Sequence, residues 1–246
     1  MRIRLRGHGV RRRIREWTRW SRASGSSHED RRNRLDDQHL RLLATFVLKA
    51  DSNCVDVGCN EGSFLREVLR VAPQGQHIAF EPLPEYADAL RRGFPTVDVH
   101  EVAIADFTGR SSFVRVIGAE GMSGLRERTY GRAVQLERIE VAVASLDAAL
   151  HPDYVPALIK IDVEGGELGV LRGAARVLRE HHPIIVFEHG VGGADHYGTR
   201  PGDVYRLLVD EIGYRIFDID GAGPYSLELF EETFTDPRIW NFVARV

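Results

Sequence analysis

Residues 54–71 read CVDVGCNEGSFLREVLRV, and this stretch decides the fold. Cys54 to Gly58 is an apolar run of strand length. Phe64, Leu65, Val68 and Leu69 then recur at helical spacing. Residues 56–62 crowd an acid, two glycines and the turn-prone Asn60 into the junction. Glycine at such a junction permits a tight turn and a close approach of backbone to a ligand, and the helix start offers free N–H groups. Outward from this unit the same alternation continues. Strands are expected at His77 to Phe80, Val97 to Ile104, Ala157 to Val163, Ile184 to Phe187, Tyr214 to Ile219 and Ile239 to Val246. Helices are expected at Pro84 to Arg92, Glu167 to Arg179 and Gly202 to Ile212. Strands alternating with helices predict a doubly wound α/β domain whose seven-stranded sheet is mostly parallel. Ser112 to Val116 and Arg138 to Ala144 alternate with period two and predict an added β-hairpin.

The chain divides by charge. Residues 1–22 hold nine arginines against one glutamate, +8, which leaves −11 for the remainder of a chain whose net charge is −3. Residues 1–34 are expected to be a basic arm and linker, with Ser21 to Asp30 as a polar tether. The domain is expected over 35–246 and opens with a helix at 35–49. An acidic body argues against a nucleic-acid partner, while the arm suggests weak peripheral membrane contact. No apolar run is long enough to span a bilayer. Two cysteines, Cys54 and Cys59, exclude a disulfide framework and fit a reducing cytoplasm. The only lysines are Lys49 and Lys160. Neither sits in a Gly-Lys-Ser/Thr loop, and a lysine Schiff base is not expected from a lysine inside a strand.

In a parallel sheet, chemistry belongs beyond the C-terminal strand ends. Asp56, Gly58, Asn60 and Gly62 lie there after the first strand. The order G-x-N-x-G does not satisfy the G-x-G-x-x-G dinucleotide fingerprint, which disfavours a nicotinamide-dependent oxidoreductase, the main rival reading. Glu81, at the end of the second strand, has the chemistry to accept both hydroxyls of a ribose. Asp162, Glu164 and Glu167 crowd the end of the fourth strand; acids at a helix start account for Glu167 better than for Asp162. Glu188 and His189 end the fifth strand beside a glycine-rich loop, as a candidate acid/base pair.

Taken together, DVGCNEGSF (56–64), FEP (80–82), EVAIADFTGRSSF (101–113), SLDAAL (145–150), LIKIDVEGGELGVLRGA (158–174) and WNFVARV (240–246) resemble the FkbM-type methyltransferases over roughly residues 50–246. The resemblance implies a Rossmann-like class I methyltransferase fold, S-adenosylmethionine as cofactor, and O-methylation of a hydroxyl on a sugar, glycolipid or polyketide. It implies that Asp56, Gly58, Asn60 and Gly62 line the methionine end of the cofactor and that Glu81 holds its ribose. Val102 and Ala103, with Asp106 nearby, would border the adenine, and Asp162 and Glu164 would face the transfer site. Cys59 and Glu61 depart from the family pattern, where a small and an apolar residue are usual.

A hydroxyl acceptor needs a base, and Asp162, Glu188 and His189 are the candidates. No metal site is expected. Mg²⁺ held by Asp162, Glu164 and Glu188 is the alternative way to acidify the hydroxyl. A non-enzymatic membrane- or polyanion-binding module, acting through the basic arm, is a further rival. Residues 117–137 and 189–200 are expected to shape the acceptor pocket.

Overall fold

The computed structural model describes residues 28–236 and 238–246; the basic arm lies outside them. Helix α1 spans His28–Val47. Then follow β1 (Cys54–Val57), α2 (Ser63–Val71), β2 (Ile78–Phe80), α3 (Pro84–Gly93), β3 (Asp98–His100), β4 (Ala103–Ile104) and β5 (Gly109–Ile117). The second half contains β6 (Gln135–Ala144), α4 (Leu146–Ala149), β7 (Leu158–Ile161), α5 (Glu167–Gly173), α6 (Ala175–His181) and β8 (Ile184–Glu188). Helix α7 (Asp203–Tyr205) runs on as a π-helix over Arg206–Ile212, and β9 (Arg215–Asp218), α8 (Leu227–Thr233) and β10 (Asn241–Arg245) complete the order.

Seven strands form one sheet in the order β3-β2-β1-β7-β8-β10-β9. All pairings are parallel except those of β10 with β8 and with β9. The expected doubly wound, mostly parallel sheet is therefore present. The expected hairpin is the β5–β6 pair, longer than the sequence suggested, and it joins β4 in a second, three-stranded sheet.

Strand parity decides which side chains meet which helix. Val55, Val57, Ile159, Ile161, Ile185 and Phe187 face the main core under α5 and α6. Cys54 and Leu158 face the opposite layer, under α1 and α2. By the same alternation Asp56, Lys160 and Glu188 point to the α1 side, near the C-terminal ends of their strands. Register puts Asp56 opposite Lys160, and Asn241 opposite Glu188.

Three expected elements differ. The strand at Val97 to Ile104 is two strands in two sheets: the His100 carbonyl accepts from Glu81 N–H, whereas Ala105 N–H donates to Ala144. The chain thus changes partner between them, around Glu101 and Val102. The helix at Glu167 to Arg179 breaks at Ala174, where Gly173 approaches Ala105 so closely that a Cβ would lie 2.1 Å from its carbonyl oxygen. The helix expected at 35–49 begins at His28 and ends at Val47. Its first two turns are charged and lack an apolar stripe. They are held instead by Arg32, which pairs with Asp36 at 2.7 Å and donates two hydrogen bonds to Asp220.

Candidate active site

The order of the sheet reverses between β1 and β7, the place where ligands enter doubly wound folds. A cleft opens there, lined by residues from both sides of the reversal. Gly58 has φ +79°, and a Cβ on it would lie 1.9 Å from the Asp162 carbonyl oxygen, so only glycine lets β1 and β7 close at this point. Asn60 and Gly62 are also left-handed, and they turn the chain into α2. The turn is fixed from across the cleft by Glu81. One of its oxygens accepts from Asn60 N–H at 2.9 Å and the other from Leu83 N–H at 3.0 Å. Glu81 is 5% exposed, and burial pushes its pKa up to about 7 against those two hydrogen bonds. Val102, Ala103, Ile104, Phe113 and Leu125 give the cleft an apolar wall.

Asp162 and Glu164 close the other side. The Asp162 carboxylate, with a third of its side chain exposed, takes the Lys160 ammonium at 2.9 Å. The same ammonium lies 3.8 Å from Asp56. Asp56 does not line the cleft: it is 1% exposed, and neither oxygen has a hydrogen-bond partner. Burial raises its pKa to about 6 although Lys160 opposes the shift. Glu164 adopts φ +59° and pairs with Arg128. Glu167 is an internal brace. Its Oε1 accepts from Val163 and Gly165 N–H, both at 3.1 Å, and burial pushes its pKa up to about 7.

The two connections expected to shape the acceptor pocket meet at this cleft, to which they contribute Glu120, Leu125 and Tyr197 among others. Thr129 N–H donates to the Gly192 carbonyl and Arg126 N–H to the Tyr197 hydroxyl; Tyr197 itself lines the cleft. Gly165 and Gly193 pack so tightly that a Cβ on Gly165 would lie 2.3 Å from the Gly193 carbonyl carbon.

Of the three base candidates, Asp162 reaches the cleft. Glu188 stands beside it in an adjoining chamber, and its pKa is raised well above the ordinary carboxylate value by burial and by the nearby Asp162. His189 is not brought to either place. It is 2% exposed, stacked on Phe230 and tilted against Phe234, with Nε2 on the Pro201 carbonyl, and burial lowers its pKa to about 4. Asp106 likewise falls outside the cleft. The oxygens of Asp162, Glu164 and Glu188 do not all approach within 4.8 Å of one another. The one such group among the described residues is Asp36, His39 and Asp220, and there Arg32 already supplies the positive charge.

Sequence reasoning set aside Lys160 and did not reach Asn33, Asp36 and Asp37 of α1. Lys160 had a signal: a charge two positions before Asp162 on one strand shares its face.

The cleft joins a glycine turn, a buried carboxylate and an acidic strand end in one place, and the sequence of that place is diagnostic. Residues 56–216 match the methyltransferase FkbM domain. The chain belongs to the FkbM methyltransferase family. Among curated relatives, the 2-O-methyltransferase NoeI of Sinorhizobium fredii is 37% identical over 76 residues, 30% of this chain and 31% of NoeI. Methyltransferase sdnD of Sordaria araneosa is 29% identical over 190 residues, 64% of this chain and 71% of sdnD. A methyltransferase FkbM structure from Methylobacillus flagellatus shares the fold, with a TM-score of 0.51 and 18% identity, over 81% of this chain and 44% of that one. The match to NoeI thus spans less than a third of that protein, and the match to the Methylobacillus protein less than half of it. Among the described residues, no helix of this FkbM methyltransferase is long and apolar enough to cross a membrane.

Proposed function

We propose that this FkbM methyltransferase moves a methyl group from S-adenosylmethionine to a hydroxyl oxygen of a sugar, glycolipid or polyketide-type molecule. The observation that carries this reading is the cleft itself. It gathers Gly58, Asn60, Glu81, Val102, Ala103 and Asp162 from four separate strand ends. Their chemistry fits the cofactor: Glu81 presents two oxygens with free lone pairs to a ribose diol, and the apolar wall suits a purine. Gly62 supports the turn from behind, where a Cβ would strike Phe94. The 2-O-methyltransferase name of NoeI supports oxygen as the acceptor atom.

The cofactor supplies an already activated methyl group, so the chain has to orient the acceptor, exclude water and accept a proton. Asp162 sits where the cleft meets the neighbouring chamber and is the base in this reading. Lys160 holds its carboxylate at 2.9 Å and offsets its charge. The connections carrying Arg128 and Tyr197 cover the site and keep water out.

Calorimetric titration with S-adenosylhomocysteine tests the reading. Micromolar binding that is lost in Glu81→Ala is expected. An intact protein that binds none would remove the cofactor assignment and with it the reaction.

A further inference from the structure

A second chamber adjoins the cleft and shares Asp162 and Glu164 with it. Its floor follows from register, because Lys160, Glu188 and Asn241 all point to the α1 side of the sheet. Its roof is α1, through Asn33, Asp37 and Leu40. Helix α1 precedes the family-matched residues 56–216, so this wall is a feature of the chain beyond the matched domain.

The chamber's charges are unequal. Five carboxyl groups line it, those of Asp36, Asp37, Asp162, Glu164 and Glu188, against the single ammonium of Lys160. Three of the five are engaged. Asp36 is held by Arg32 and by Asn241 at 2.9 Å, Asp162 by Lys160, and Glu164 by Arg128. Glu188 and Asp37 have no hydrogen-bond or ion-pair partner among the described residues. Glu188 is half-buried and Asp37 is exposed; desolvation raises the pKa of both, and the nearby Asp162 adds to the rise at Glu188. A carboxylate set among other carboxylates, with no partner of its own, is stabilised by a cation that a ligand delivers. An anionic ligand would meet an excess of like charge.

We propose that this chamber is the acceptor site and that it takes a hydroxyl acceptor bearing a protonated amine, with Glu188 as its counter-charge and Asp37 closing the α1 side. The proposal rests on the reading of the adjoining cleft as the methyl-donor site. It makes the acceptor an amino alcohol or amino sugar rather than a phosphorylated or uronic sugar.

Three sugars of one ring type and different charge separate the outcomes: glucosamine, N-acetylglucosamine and glucuronate, each titrated into protein saturated with S-adenosylhomocysteine. Glucosamine is expected to bind about tenfold or more tighter than N-acetylglucosamine, a difference of one ion-paired hydrogen bond, and glucuronate not at all. Glu188→Gln and Asp37→Asn should each erase most of that preference. Retained binding of S-adenosylhomocysteine shows that each variant is folded. Equal binding of the three sugars, or no glucosamine binding by protein that holds S-adenosylhomocysteine, overturns the proposal and leaves the donor site standing. Failure to bind S-adenosylhomocysteine overturns the donor reading and the proposal together.

Discussion

Glu81 ends β2 with each carboxylate oxygen on a different backbone N–H, and burial lifts its pKa to about 7. A ribose diol donates to the ionised form. The affinity for S-adenosylhomocysteine is therefore expected to be about tenfold weaker at pH 6 than at pH 8, and calorimetry at the two values would show it. A flat profile would remove Glu81 from the ribose. Asp162→Asn should lower kcat by about 10²–10⁴-fold while cofactor affinity stays nearly constant, because it removes a proton acceptor rather than a wall. Glu167 titrates from 4.5 to about 7 on folding, so the native state holds its proton more tightly. Its stabilising contribution is present at low pH and is lost as pH rises through that window. Glu167→Gln keeps the accepting oxygen and abolishes the titration. The fall in Tm between pH 5 and pH 8 should shrink in the variant, and parallel curves would reject the assignment. At this scale the glycine turn and Glu81 were legible, because backbone geometry and strand ends obey local rules. The isolation of His189 was not, since its contacts with Phe230 and Phe234 depend on a segment some 40 residues downstream.

Helix α1 has two kinds of support. Leu40, Leu43, Ala44 and Val47 pack on the sheet and α2, and this apolar stripe announced the second half of the helix. The first half depends on Arg32, which joins Asp36 and Asp220 across 188 residues of chain. No local pattern reveals such a tie. Arg32→Ala should speed amide exchange over residues 28–36 while leaving β1, β7 and β8 protected, as hydrogen-exchange mass spectrometry would show. Uniform loss of protection would mean that α1 is part of the cooperative core rather than a cover upon it. The break at Ala174 is the opposite case. The apolar positions on either side keep helical spacing, and only the close approach of Gly173 to Ala105 ends the first helix.

In the whole molecule, the two cysteines report on how well the sheet is sealed. Cys54 and Cys59 are buried, and burial pushes the Cys54 pKa up to about 12 and that of Cys59 well above its ordinary value. Neither should react with an aromatic disulfide reagent in the native protein, and both should react in denaturant. Fast labelling of the folded form would show that the sheet opens next to the glycine turn. The parallel strand order was legible from the alternation of elements. The position of β10 was not, because an apolar strand carries no mark of the neighbours it will choose. Yet β10, the last strand in chain order, lies between β8 and β9 rather than at the rim. A nascent chain emerging from the ribosome would therefore lack the strand that joins β9 to the rest of the sheet until residues 241–245 arrive. For that interval β8 presents a bare hydrogen-bonding edge to any neighbouring polypeptide. Synthesis and closure of the sheet are thus separate events, and chaperone demand should be concentrated between them.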